Sequence, residues 1–317
     1  MRIVSLLASA TEMVAALGYQ DHLVGRSHEC DYPSEVLALP VVSTVQIDIH
    51  VTSAEIDAQV RQRIHQPKPD NPALQALSIY ALDLELLQQL RPDVILTQTQ
   101  CEVCAVNERD VRQAIAQLTG LHPQVVSLAP YRLQDVWEDV RRIGNVLDDP
   151  DRAQILVQHY QQRLDDLRHK TTVFGLEPRV AVLEWLDPLM GAGNWTPELV
   201  SYAGAKNLFG EVGHHSPSLG WEDLQMADPD VIILGPCGYS LERTIKDVPL
   251  LSGHPIWQEL KAVRERTVYA IDGNQYLNRS GPRLVESAEL LAQMIWKGQL
   301  DLSVDAHGWA PIANGAA

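Results

Sequence analysis

Short apolar runs recur along the chain, each followed by a turn and an amphipathic stretch. Ile3-Val4-Ser5-Leu6-Leu7 is nearly continuous, the pattern of a strand buried on both faces. It predicts a strand over Arg2–Leu7 and a helix from about Thr11 to Leu17, capped by Ser9 or Thr11 and closed by Gly18. A second unit of pattern occurs twice. Residues 84–96 and residues 221–234 each read as a short helix, a Pro-Asp turn (Pro92-Asp93, Pro229-Asp230) and a buried strand (Val94-Ile95-Leu96, Val231-Ile232-Ile233-Leu234). The strand openings match as well: Arg179-Val180-Ala181-Val182-Leu183 mirrors Arg2-Ile3-Val4-Ser5-Leu6, and Gly204 mirrors Gly18 as a helix stop. Alternating strands and helices predict an α/β protein with two Rossmann-like lobes, parallel sheets and right-handed crossovers.

Between the halves the period becomes helical. Val136, Val140, Ile143 and Leu147 form one stripe, Asp148-Asp149-Pro150 breaks it, and Ile155, Leu156, Tyr160, Leu164 and Leu167 form a second. The expected division is an N-terminal lobe over 1–130, linking helices over 131–170, a C-terminal lobe over 171–300 and a weakly ordered tail over 301–317. A long helix joining the lobes and two ordinary crossover helices fit this pattern equally. Residues 52–77, with Pro67, Pro69 and Pro72, read as a loop-rich insertion carrying a short helix around 54–64.

Charge narrows the function. With 25 basic and 41 acidic residues the net charge is -16, a field that repels phosphate backbones and anionic membrane surfaces. No stretch reaches the roughly 18–20 apolar residues of a membrane-inserting helix. Arg2 and the apolar run up to Ala8-Ser9-Ala10 imitate an export signal, but the run is brief and Glu12 interrupts the apolar positions beyond it. We therefore expect a cytoplasmic protein, where thiols stay reduced.

That expectation gives weight to the cysteines. Cys30, Cys101, Cys104 and Cys237 all fall where predicted strands end, and ligands of open α/β sheets bind beyond those ends. Four converging thiolates would hold zinc or an iron–sulfur cluster. A redox-active Cys101–Cys104 pair and unrelated buried thiols are the alternatives. His28 and Glu29 border the same place, His28 as a ligand, a proton donor or a structural residue; His214-His215 is a second metal candidate or an exposed surface pair.

Ser5-Leu-Leu-Ala-Ser-Ala-Thr-Glu12, Leu23-Val-Gly-Arg-Ser27, Asp31-Tyr32-Pro33, Leu90-Arg-Pro-Asp-Val-Ile95, Asp228-Pro-Asp-Val-Ile232 and Asn278-Arg-Ser-Gly-Pro-Arg283 occur in this order over residues 1–295. In this pattern the chain resembles the class III substrate-binding proteins of bacterial ABC importers, and within them the cobalamin and iron-chelate binders, in a cytosolic branch. The resemblance implies a ligand cleft between lobes, cobalamin as a ligand, and a carboxylate on each lobe, here Glu85 and Glu222, that docks a permease. The four cysteines depart from the exported cobalamin binders.

A flat macrocycle needs apolar walls, and Tyr80, Trp185, Trp195 and Tyr239 fall near strand ends or in loops, where core packing is the alternative. Arg279 and Arg283 flank Ser280-Gly281-Pro282 at a helix start and suit an anion, or an acid such as Glu184 or Asp187. No nucleophile elbow, P-loop or dinucleotide fingerprint is present, so the residues argue for binding more than for turnover. The leading reading is a ligand-binding protein for a small molecule or metal chelate, with a four-cysteine metal or iron–sulfur site. The rival is an iron–sulfur or zinc protein serving electron transfer, sensing or cluster delivery with a redox partner. A third reading makes it an enzyme acting on a bound tetrapyrrole with His28 as the acid or base.

Overall fold

The computed structural model describes residues 1–65, 80–99, 111–112, 115–116, 120–300, 302 and 306–312. Two compact units divide it, one of residues 1–130 and 134–157 and one of residues 131–133 and 158–317.

The first unit is built on four parallel strands, β1 (Ile3–Ser5), β2 (Leu23–Arg26), β5 (Val94–Gln98) and β6 (Gln124–Leu128), in the order β2-β1-β5-β6. A separate antiparallel pair, β3 (Ser43–Val45) and β4 (Tyr80–Leu82), lies between them in sequence. Residues 3–5 and 94–98 are buried throughout, as their continuous apolar runs require. The first helix, α1 (Ala8–Ala16), starts earlier than expected and has Leu7 as its N-cap, with no side-chain cap. Ser9 and Thr11 are therefore helix-interior residues, and the Thr11 hydroxyl bonds back to the Leu7 carbonyl and across to the Cys30 sulfur. The helix is buried on nearly every face, so packing rather than capping sets its start. The helix α2 (Ser53–His65) falls where the insertion was expected to carry one; Pro67, Pro69 and Pro72 lie outside the described residues.

The helices α3 (Leu84–Leu90), α4 (Leu133–Val146) and α5 (Pro150–Thr172) come next. The 23 residues of α5 give it a length of roughly 35 Å. The boundary between the units falls within α5, between Val157 and Gln158, and residues 131–133 also belong to the second unit.

In the second unit β7 (Arg179–Leu186), β8 (Leu189–Gly191), the helix α6 (Thr196–Tyr202), β9 (Lys206–Asn207), α7 (Trp221–Ala227), β10 (Val231–Leu234), α8 (Leu241–Asp247), β11 (Val268–Ile271), α9 (Leu284–Ile295) and β12 (Trp309–Pro311) occur in this order, with short helical turns over 249–264. Parallel neighbours run β9-β7-β10-β11, the same sequence of roles as β2-β1-β5-β6. The internal repeat is thus a repeat of sheet topology. The antiparallel strands β8 and β12 are added at the edges. Within this unit Arg163 of α5 makes a forked ion pair with Glu289 of α9 at 2.7 and 3.3 Å.

Residues 306–312 of the expected tail are described and carry one strand. Trp309–Pro311 pairs with β11, the Trp309 ring meets Tyr269 edge-on at 5.5 Å, and its Nε1 donates to Gln293 at 3.1 Å. One tryptophan supplies the anchor that the composition of the segment concealed.

The Pro-Asp turns repeat in atomic detail. Arg91 and Asp228 both close their helices in the left-handed region, at φ 45° and 39°. A proline comes after each and bars the residue before it from continuing the helix. The next aspartate then accepts the backbone N–H that opens the neighbouring strand: Asp93 from Arg2 at 2.7 Å and Asp230 from Arg179 at 2.8 Å. Each aspartate N–H donates back to the same residue's carbonyl, at 2.8 and 2.9 Å.

These contacts can be tested by substitution and by pH. Asp93→Ala is expected to lower stability by about 1 kcal/mol in urea unfolding, the worth of one such bond, and Asp230→Ala by more, because Asp230 also accepts from Lys261 at 2.7 Å. Burial would raise the Asp230 pKa, but hydrogen bonds from Lys261 and from the Arg179 N–H hold it below the ordinary value, so its contribution is present near neutrality and lost as pH falls through that lowered pKa. Asp139 of α4 has the opposite sign. It is 2% exposed, and burial lifts its pKa to about 7 although Arg142 donates to it at 3.0 Å. The folded state therefore holds a proton that the unfolded chain releases, and stability falls as pH rises from about 4 to about 7. Asp139→Asn is expected to remove that slope and to gain roughly 1–3 kcal/mol at pH 8, read from unfolding midpoints at pH 5 and pH 8.

Candidate functional site

In the first unit the chain leaves β2 through Ser27, whose N–H donates to the Ser5 carbonyl at 2.8 Å and so extends the parallel pairing by one residue. His28, Glu29 and Cys30 come next and point to different surroundings. Ser43 Oγ receives the His28 backbone N–H at 3.2 Å and lies 2.9 Å from the ring Nδ1. Tyr80, on the strand paired with that of Ser43, places its ring 5.1 Å from the imidazole and donates its hydroxyl to Glu29 Oε1 at 3.4 Å. Burial, and then the Arg26 guanidinium, hold the His28 pKa below its ordinary value, so the ring is neutral at pH 7.

Cys30 faces inward. It is fully buried, its sulfur lies 3.0 Å from the Thr11 hydroxyl and 3.2 Å from that of Ser27, and the thiol is directed at the Ser5 carbonyl 3.7 Å away. Burial pushes its pKa up further than these hydroxyls bring it down. It is a neutral thiol. Cys237 is exposed, in the loop after β10. Cys101 and Cys104 lie outside the described residues. Among the described residues no group of three or more His, Cys, Asp or Glu side chains is placed to hold a metal ion. His214 and His215 are exposed, with each Nδ1 beside a backbone carbonyl, of Val212 at 3.2 Å and of Ser216 at 3.0 Å.

In the second unit β7 ends in Glu184, Trp185 and Leu186. Trp185 is half-buried, donates Nε1 to the Asp187 carbonyl at 3.0 Å, and meets Tyr239 edge-on at 5.3 Å. The Arg243 guanidinium lies 4.8 Å over the Tyr239 ring and is held by Asp247 at 2.9 Å. Burial raises the Tyr239 pKa, so its hydroxyl stays protonated. Glu184 accepts from Ser216 at 2.8 Å, and Ser216 accepts the Gly193 N–H at 3.1 Å, which fastens the loop after β8 to the strand end.

The other sequence candidates lie in different surroundings. Trp195 is buried and donates its Nε1–H to the Leu277 carbonyl at 2.8 Å. Arg279 and Arg283 are also buried, donating to Asn274 at 3.0 Å and to Gln275 at 3.2 Å. Arg283 immediately precedes α9. Glu85 and Glu222 are exposed and occupy the first turn of the matching helices α3 and α7.

Sequence reading missed Ser43, Ser216 and Arg243. Ser43 and Ser216 carry no periodic signal; the spacing of Tyr239, Arg243 and Asp247 at intervals of four could have revealed Arg243.

Two α/β units of repeated topology, with ring pairs and charged groups near the strand ends, define a two-lobe substrate-binding protein. The chain belongs to the periplasmic binding protein family, whose pattern matches residues 3–275. It is 24% identical over 300 residues to a vitamin B12-binding protein of Pectobacterium atrosepticum, covering 93% of this chain and 88% of that one. An ABC transporter substrate-binding lipoprotein of Bacillus subtilis, itself uncharacterized, is 23% identical over 301 residues, covering 93% and 80%. The fold is shared with a periplasmic heme-binding protein from Pseudomonas aeruginosa (TM-score 0.71, 20% identity, 100% of this chain and 99% of that chain) and with the periplasmic vitamin B12-binding protein of Vibrio cholerae (TM-score 0.63, 23% identity, 95% and 98%).

Trp195→Phe, which keeps the ring and deletes the Nε1–Leu277 bond, is expected to cost about 1–3 kcal/mol in unfolding free energy, because it leaves a buried carbonyl unpaired, and to leave ligand affinity unchanged.

Proposed function

We propose that the protein binds a planar metal chelate of the tetrapyrrole type, a corrinoid foremost, and carries out no chemistry on it. The observation that carries this reading is the half-buried Trp185 set edge-on to Tyr239, with Arg243 over the tyrosine, at the carboxyl end of the second sheet. Such a group offers an apolar wall for a macrocycle face and a cation for the electron-rich substituents at its rim. Kinship with vitamin B12-binding proteins supports the choice of ligand class. The His28–Tyr80 ring pair is a second aromatic surface, in the first unit.

Glu85 and Glu222 suit a different role. Their exposed carboxylates, at equivalent places on the two units, fit docking to basic groups of an ABC permease. A metal centre on Cys30, Cys101, Cys104 and Cys237 draws no support from the described residues, among which no group of three or more His, Cys, Asp or Glu side chains is placed to hold a metal, while Cys101 and Cys104 lie outside them.

Titration with aquocobalamin, and separately with haemin, is expected to quench tryptophan fluorescence to saturation. Trp185→Ala is expected to weaken binding about tenfold, the worth of one aromatic wall. Glu85→Lys with Glu222→Lys is expected to leave that affinity unchanged. Absence of binding by either compound would overturn the reading.

A further inference from the structure

We propose that the cavity beside the β7–β8 turn of the second unit is a binding site for a small primary amine with an apolar body, separate from the Trp185–Tyr239 group. The inference does not rest on the chelate-binding reading.

The cavity has a volume of about 300 Å³, at the lower end of the range for small-molecule sites. All of its lining residues lie between 186 and 254, within the second unit. Its floor is the cross-strand pair of Leu186 on β7 and Leu189 on β8, both buried. The Leu219 N–H donates to the Leu189 carbonyl at 2.9 Å and fastens a third apolar side chain beside them. One wall is aromatic. Trp221 and His254 stack at 4.0 Å with their planes 4° apart, and Trp257 meets Trp221 edge-on at 6.5 Å. His254 is held through Nδ1, which accepts the Ile256 N–H at 3.3 Å. These rings are in place before a ligand arrives, which lowers the cost of binding. Trp185 and Tyr239 do not line the cavity. Side chains alternate along a strand, so Trp185 and Leu186 point to opposite faces of β7.

Charge selects the ligand. Asp187 follows β7 at the turn, and its backbone carbonyl accepts the Trp185 Nε1–H at 3.0 Å. Its exposed carboxylate has no hydrogen bond or ion pair among the described residues. No lysine or arginine lines the cavity, and Glu222 and Asp223 follow Trp221 in the first turn of α7. A carboxylate beside an apolar floor matches an ammonium carried on a hydrocarbon or aromatic body and repels an anion. The net charge of -16 adds a long-range field that favours a cation's approach. The size excludes a docked helix, one turn of which, about 5.4 Å long and about 10 Å wide, takes up more than the cavity holds.

The test uses the full chain with phenethylamine and hexylamine, read by saturation-transfer nuclear magnetic resonance and by melting temperature. Both amines are expected to bind saturably, with Kd at or below about 1 mM, and to raise the melting temperature. The neutral 2-phenylethanol is expected to bind about fivefold more weakly than phenethylamine, the worth of an exposed ion pair, and phenylacetate not at all. Asp187→Asn, which keeps the shape and removes the charge, is expected to abolish that fivefold preference. Leu250→Trp, which fills the cavity from a position 43% exposed, is expected to abolish amine binding. Both variants are expected to keep the wild-type melting temperature without ligand, and if Leu250→Trp does not, Asp187→Asn decides. Amine affinity is expected to be the same with and without saturating aquocobalamin. Competition between the two would overturn the inference, by placing both in one site, and would leave the chelate-binding reading standing. Failure of both amines to bind, or equal phenethylamine affinity in the wild type and Asp187→Asn, would overturn it as well. A blocked lysine pentapeptide that binds where the free amines do not would overturn it in favour of a protein partner.

Discussion

Each unit of this protein is organised around an aspartate that fastens the beginning of its central strand. Asp93 and Asp230 accept the N–H of Arg2 and Arg179, residues far away in sequence, and give their own N–H back to the same residues. A strand in a parallel sheet has no hairpin to fix its register, so something else must. The reciprocal pair does this at the amino ends of β1 with β5 and of β7 with β10. The register then carries through the buried strands to their carboxyl ends, where Ser27 continues the pairing and Glu184 anchors a loop. The positions of His28 and Trp185 depend on an alignment set at the opposite edge of each sheet.

This arrangement explains which parts of the structure were legible in the sequence. The helix, Pro-Asp and strand units could be read because their signals are local: a continuous apolar run, a proline that ends the helix, an aspartate at a fixed offset. Their recurrence made the two-unit fold readable as well. The surroundings of individual side chains were not legible. Thr11 and Ser9 have capping chemistry, but α1 is buried and begins at Leu7. Trp195 and Trp185 differ little as sequence signals, yet one closes a core through Leu277 and the other stays half-buried. Cys30 sits at a strand end as expected but turns inward to Thr11 and Ser5. Strand-end position fixes the depth of a residue along the sheet and leaves open the side it faces. The contact of His28 with Ser43 and Tyr80 joins residues from three separate segments, for which no spacing rule exists.

The charge of the chain and the chemistry of its candidate site also differ in scale. A net charge of -16 sets the long-range field, but the ring pairs have arginines close by, Arg26 near His28 and Arg243 over Tyr239. Local cations in an acidic protein raise the selectivity of a site, because an anionic or electron-rich ligand is repelled everywhere except where it fits.

The strand β12 has a consequence for how the second unit is made. It pairs with β11, and it is encoded some forty residues after it, at 309–311 against 268–271. During synthesis on the ribosome β11 therefore emerges well before its outer neighbour and waits with one row of backbone groups uncovered. That interval is when another chain could pair with it. A chain cut ahead of Trp309 would keep the interval open permanently, turning a transient edge into a standing site for aggregation.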